Sequence, residues 1–86
     1  MKKKFEIDLK FMSTVFKKSI NNKSKLSLTS KFEKVPGWDS LGHIKIISVI
    51  ENKLKISFEI DEIVGVNTVK KLIEITKKKL SNVTDL

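Results

Sequence analysis

One stretch limits what this chain can become. From Ser40 to Leu54 the sequence reads Ser-Leu-Gly-His-Ile-Lys-Ile-Ile-Ser-Val-Ile-Glu-Asn-Lys-Leu. Leu41, Ile44, Ile47, Ile50 and Leu54 recur at the spacing of one helical face, with Ile46 and Val49 flanking it. The spacing predicts a helix over 40–54. A strand at 44–50 is the alternative, but the stripe, the length and the start signal argue against it. That signal is Pro36-Gly37, a turn, followed by Asp39 and Ser40, either of which can cap the free N–H groups of a first helical turn. A helix this apolar needs cover on much of its circumference. Its β-branched residues are mediocre helix formers, so packing must support it. The rest of the chain therefore has to supply that cover.

Residues 5–20 place Phe5, Leu9, Met12, Phe16 and Ile20 on one helical stripe, widened by Val15, with Lys10, Ser13, Lys17 and Lys18 opposite. A Phe/Met stripe of this kind reads as core. Asn21-Asn22 fits a helix end, because Asn tolerates the left-handed conformation. Residues 21–39 form a long polar connection, with Leu26, Leu28, Phe32 and Val35 as apolar anchors. Ile56, Phe58 and Ile60 alternate with polar residues and are expected to plug the core as an extended segment. A helical turn follows at about 61–65, with Asp61 as cap and Gly65 as stop. Thr68 caps a last amphipathic helix at about 68–80, which turns Val69, Leu72, Ile73, Thr76 and Leu80 inward. Lys77, Lys78 and Lys79 then fall in its last turns, and Ser81–Leu86 is a frayed tail. The expected fold is all-α: a small four-helix bundle of three main helices and one short one, with a long first loop, in a single domain over residues 1–86.

Charge narrows the function. The net charge is +8, which first points to nucleic acid or an anionic membrane. Its distribution points elsewhere. Residues 1–34 hold ten lysines and three acids, whereas residues 35–65 hold three lysines and five acids. All 18 basic residues are lysines, so the forked guanidinium contact to guanine edges or phosphates is missing. Most of the positive charge reads as solvated surface. With no cysteine, the chain has neither a disulfide nor a thiolate metal site, in keeping with the cytoplasm. Acids at Glu6 and Asp8 interrupt any signal-peptide core after Lys2-Lys3-Lys4, and no apolar run approaches a membrane span, so no membrane insertion is expected. A single His and the lack of a Gly-rich phosphate loop argue against an autonomous enzyme.

The order of elements, with Gly37-Trp38-Asp39-Ser40-Leu41 opening the central helix, resembles the acyl carrier protein family. The Trp-Asp-Ser-Leu-Gly-His form is similar to free-standing bacterial carriers of specialised pathways. Phe58-Glu59-Ile60-Asp61-Glu62-Ile63 is similar to the family's approach to its short third helix, and Thr68-Val69-Lys70-Lys71-Leu72 to the start of its fourth. The resemblance implies a carrier, not an enzyme. Ser40 would carry 4′-phosphopantetheine, attached by a phosphopantetheinyl transferase. The thiol of that arm would hold an acyl or aminoacyl group as a thioester. A loading enzyme would charge it, a downstream acyltransferase or synthase would discharge it, and an acyl chain could tuck between the helices. Asp39 matches the acid before the serine, and Leu41 the apolar residue that anchors the helix start.

Docking candidates are Trp38, His43, Lys45, Glu51 and Glu62. Gly42, His43 and Lys45 stand where fatty-acid carriers often place polar or acidic side chains, so the acidic docking face is thinned and dedicated partners are expected. His43 is expected to be a plain solvated side chain, and Trp38 either packs on the loop or touches the arm. The chain is expected to be a monomer that binds no nucleic acid and no metal. The competing readings are a basic helical nucleic-acid-binding domain and an unmodified interaction module.

Overall fold

Four helices account for the architecture: α1 (Leu9–Ile20), α2 (Ser40–Leu54), α3 (Ile60–Val64) and α4 (Val69–Thr84). The structure, a computed structural model, describes residues 6–84. Among the described residues the only β-type pairing is an isolated bridge between Lys31 and Thr68.

α1 starts later than the apolar stripe implies, at Leu9 rather than near residue 5. Asp8 is the reason. Its side chain accepts a hydrogen bond from the Phe11 N–H at 2.9 Å, and an acid used as a cap stands outside the helix. Ile7 and Met12 occupy the two positions of a hydrophobic staple, and both lie in the core. Phe5, the first residue of the expected stripe, lies outside the described residues. Asn21 closes α1 in the left-handed region (φ 56°), as its residue type suggested.

The loop from α1 to α2 is pinned by Leu26, Val35 and Trp38, all buried, and by half-buried Phe32. Leu28, expected as an anchor, is 46% exposed; its backbone carbonyl does the work instead. The Leu28 and Ser30 carbonyls accept the Lys70 and Val69 N–H groups, each at 3.0 Å, and the Phe32 N–H donates to the Asn67 carbonyl at 3.0 Å. The loop thereby satisfies backbone donors that α4 leaves free at its start. Thr68 adds a side-chain cap, accepting from the Lys71 N–H at 3.1 Å.

α1 packs most extensively on α2 and more lightly on α4. Between them lie Met12, Val15, Phe16, Ile46, Ile50, Val69 and Leu72, each fully buried. Ile56 and Phe58 plug the core as expected, but Ile60 does not; it opens α3 and is 76% exposed. The cap of α3 is Glu59 rather than Asp61: the Glu59 and Glu62 side chains satisfy each other's backbone N–H groups in a capping box. α4 runs on to Thr84 instead of fraying from Ser81. Lys77–Lys79 therefore sit mid-helix, away from the end of the dipole, and Lys79 pairs with Glu62 on α3 at 3.0 Å.

Candidate functional site

Ser40 is the first residue of α2, and it is exposed. Asp39 sets it there. Its backbone is extended (φ −116°, ψ −167°), and its carboxylate accepts the Gly42 N–H at 2.9 Å. Its carbonyl accepts the His43 N–H at 2.7 Å. Asp39 alone is therefore the cap, and among the described residues no hydrogen bond engages the Ser40 hydroxyl. The backbone N–H groups of Ser40 and Leu41 likewise have no partner among those residues. They are the unsatisfied donors at the positive end of the helix dipole, where an anion is stabilised.

The turn before Ser40 is fixed from several directions. Gly37 takes φ +88°, a backbone region that side chains rarely adopt. Gly42 presses directly on the Gly37 backbone, and a Cβ at Gly42 would fall on the Gly37 carbonyl oxygen. The Trp38 N–H donates to the Val35 carbonyl, and the Trp38 carbonyl accepts the Glu33 N–H at 2.8 Å. The Trp38 ring is completely buried, edge-on to Phe16 at 4.9 Å and to Phe32 at 6.0 Å.

His43 corrects the expectation of a solvated side chain. It is 7% exposed. Its Nδ1 accepts from the Trp38 indole N–H at 2.9 Å, and its Nε2 lies 2.9 Å from the Ile63 carbonyl of α3. The indole nitrogen can only donate, so Nδ1 carries no hydrogen and Nε2 is the donor to Ile63. The ring is therefore neutral, in a single tautomer.

The other candidates separate by exposure. Lys45 is exposed. Glu51 is half-buried and accepts the Phe58 N–H at 2.9 Å, which ties the segment after α2 to that helix. Glu62 serves the capping box and Lys79, and these two partners, the Glu59 N–H first, hold its carboxyl below the ordinary glutamate range. Trp38 and His43 are sealed inside, so neither lies on a surface that a partner would touch. Leu41 is 66% exposed, so it does not anchor the helix start by burial; Gly42, His43 and Ile46 take that place. Exposed apolar residues are what sequence reasoning missed: Leu41 and Ile44 on α2, Ile60 and Val64 on α3. α2 carries more aliphatic residues than one buried face can hold, and that excess was the available signal. No group of acids and histidines among the described residues could hold a metal ion.

The solution NMR structure of a holo acyl carrier protein from Geobacter metallireducens superposes on this chain with a TM-score of 0.79. The likeness covers 90% of each chain at 24% sequence identity. The chain has the acyl carrier protein fold. Within that fold Asp39-Ser40-Leu41 stand at the start of α2. No protein-family model matches the sequence, and no curated protein does so either. Among the described residues no helix of this acyl-carrier fold is long and apolar enough to cross a membrane.

Proposed function

We propose that this protein is a phosphopantetheine carrier and that Ser40 is its attachment site. The observation that carries the reading is the Ser40 hydroxyl itself: exposed, without a hydrogen-bond partner among the described residues, and set on the N-terminus of α2 by a turn that the Gly37–Gly42 packing closes. A phosphodiester on Ser40 would be stabilised by the positive end of the helix, where the Ser40 and Leu41 N–H groups lack a backbone acceptor. Asp39 holds the helix start, so the hydroxyl stands clear of its own backbone.

Attachment is a group transfer from coenzyme A. The Ser40 oxygen attacks the β-phosphorus of the pyrophosphate, the phosphoanhydride bond breaks, and adenosine 3′,5′-bisphosphate leaves. The Ser40 proton passes to a base of the transferase. When attached, the arm would supply a thiol able to hold an acyl or aminoacyl group as a thioester. This chain's part is to bind, position and present; a loading enzyme and a downstream acyltransferase or synthase make and break the thioester. Acidic docking residues are sparse around Ser40, while Leu41, Ile44 and Lys45 are exposed on α2. This supports dedicated partners over those that read a strongly acidic helix. Cytoplasmic location and a monomeric state belong to the same reading.

The absence of cysteine makes the test simple. Incubated with coenzyme A and a broad-specificity phosphopantetheinyl transferase, then freed of small molecules, the protein gains one reactive thiol per chain from a baseline of none. The Ser40→Ala variant stays at the baseline. No thiol gained with several transferases would overturn the proposal.

A further inference from the structure

Trp38 and His43 bracket Ser40, two residues before it and three after. Trp38 belongs to the loop and His43 to α2, so the indole–imidazole bond closes the chain around the Asp39–Gly42 helix start. Phe16 of α1 and Phe32 of the loop hold the indole edge-on, and Phe32 also meets the imidazole at 5.5 Å. The second ring nitrogen reaches α3 at Ile63. One side chain therefore ties together the loop, α2 and α3. We infer that His43 is a positioning residue for Ser40: its neutral ring pins Trp38 and fixes the turn that presents the hydroxyl, and a second proton on Nδ1 releases that turn. The tie is a property of the unmodified chain; its effect on Ser40 loading rests on the carrier reading above.

The release has a direction. A proton on Nδ1 sets N–H against the Trp38 N–H, and both are donors only. That bond is lost, while the Nε2–H bond to the Ile63 carbonyl becomes charge-assisted and persists. The loop side loosens, and the α3 side holds. No neighbouring acid takes over as acceptor. Asp39 is spent on the Gly42 N–H, and Glu62 on the Glu59 N–H and Lys79. Glu33 on the loop, Lys45 on α2 and Asp61 on α3 are exposed and bond neither ring. The lysines of α1 and α4 and Glu74 of α4 are exposed or half-exposed and do not bond the imidazole either.

Trp38 is the sole tryptophan and His43 the sole histidine, so the tie can be read directly. In proton–nitrogen NMR spectra of the full unmodified chain, the indole N–H gives one signal. Taken from pH 8 to pH 4, that signal moves upfield and exchanges faster with solvent. The amides of Val35 and of residues 37–42 change with it, while those of α3 hold. In His43→Gln the amide oxygen accepts the indole N–H and the amide nitrogen donates to Ile63, with nothing to titrate, so the indole signal stays still. A wild-type indole signal that ignores pH while far-UV circular dichroism shows a folded chain would overturn the inference. So would a His43→Gln signal that follows the wild-type curve. In loading assays at pH 8, His43→Phe keeps a ring but no nitrogen and reacts roughly fivefold more slowly, the worth of about one neutral hydrogen bond. His43→Gln stays near the wild-type rate. Equal rates for all three proteins would overturn the positioning role. Failure of wild type to load would overturn the carrier reading instead, and the indole signal would still decide whether the tie exists.

Discussion

At Gly42 a single methyl group decides whether the Ser40 turn can close. The residue next to it in space is the Gly37 backbone, not a flexible side chain, so a Cβ cannot be absorbed by a rotamer change. Gly42→Ala is therefore expected to cost about 3 kcal/mol, the upper end of overpacking penalties, read as a lowered urea midpoint. The same substitution at an ordinary helix position would stabilise by roughly 1 kcal/mol. The turn and the cap were legible because Pro-Gly and Asp-Ser carry local backbone preferences. The packing of Gly42 on Gly37 was not, because it joins two backbones that no local rule connects. His43 was misread for a similar reason. A lone histidine among lysines looks solvated, and only the fold brings an indole donor and a carbonyl acceptor to its two nitrogens. Glu62 gives a pH-dependent case. Its carboxyl is held below the ordinary range by the Glu59 N–H and Lys79, so its contribution is present above that range and is lost as pH falls through the depressed value. Wild type should be more stable than Glu62→Gln at pH 7, with the gap narrowing as pH falls below the ordinary glutamate range, as measured by urea midpoints across that range.

Each helix had the expected type, and the differences lie at ends and faces. α1 begins where Asp8 caps it, although its apolar spacing continues further back. α3 is capped by Glu59 because Glu62 stands three residues on and completes the box. The face of α2 was the harder matter. Seven aliphatic residues on fifteen positions allow several stripes, and spacing alone cannot choose among them. The structure buries Ile46, Ile47, Ile50 and Leu54 and turns Leu41 and Ile44 outward. Substitution separates the two faces. Ile50→Ala should destabilise by about 3 kcal/mol, the usual cost of emptying a fully buried aliphatic site. Ile44→Lys should change stability by less than about 0.5 kcal/mol, as exposed positions do. Thermal or urea unfolding of both variants checks the pair, and a large loss at Ile44 would contradict the assigned face.

Across the whole molecule, charge and site divide the surface. The lysines of α1, the first loop and α4 are exposed or half-exposed, while the Ser40 region carries mixed charge and uncovered aliphatics. A nucleic-acid-binding domain would need its cations on the surface that docks, and its affinity would fall linearly in log salt. For this protein, titration of labelled single- and double-stranded DNA and RNA at 150 mM salt is expected to show no saturable binding. The element order, the loop anchored at Leu26 and Val35, and Ser40 at the head of α2 were all legible in the sequence. What the sequence could not show is that the loop backbone caps α4, which joins segments far apart in the chain, and that Trp38 and His43, only five residues apart, lock together across a bend that no local rule fixes. Ser40 as the attachment site can be tested with the protein's own lysines. Trypsin cuts after Lys34 and Lys45, releasing residues 35–45, in which Ser40 is the only hydroxyl-bearing side chain. After reaction with coenzyme A and a phosphopantetheinyl transferase, mass spectrometry should find one phosphopantetheinyl group on that peptide and none elsewhere. An unmodified 35–45 peptide, or the group on any other peptide, would contradict it.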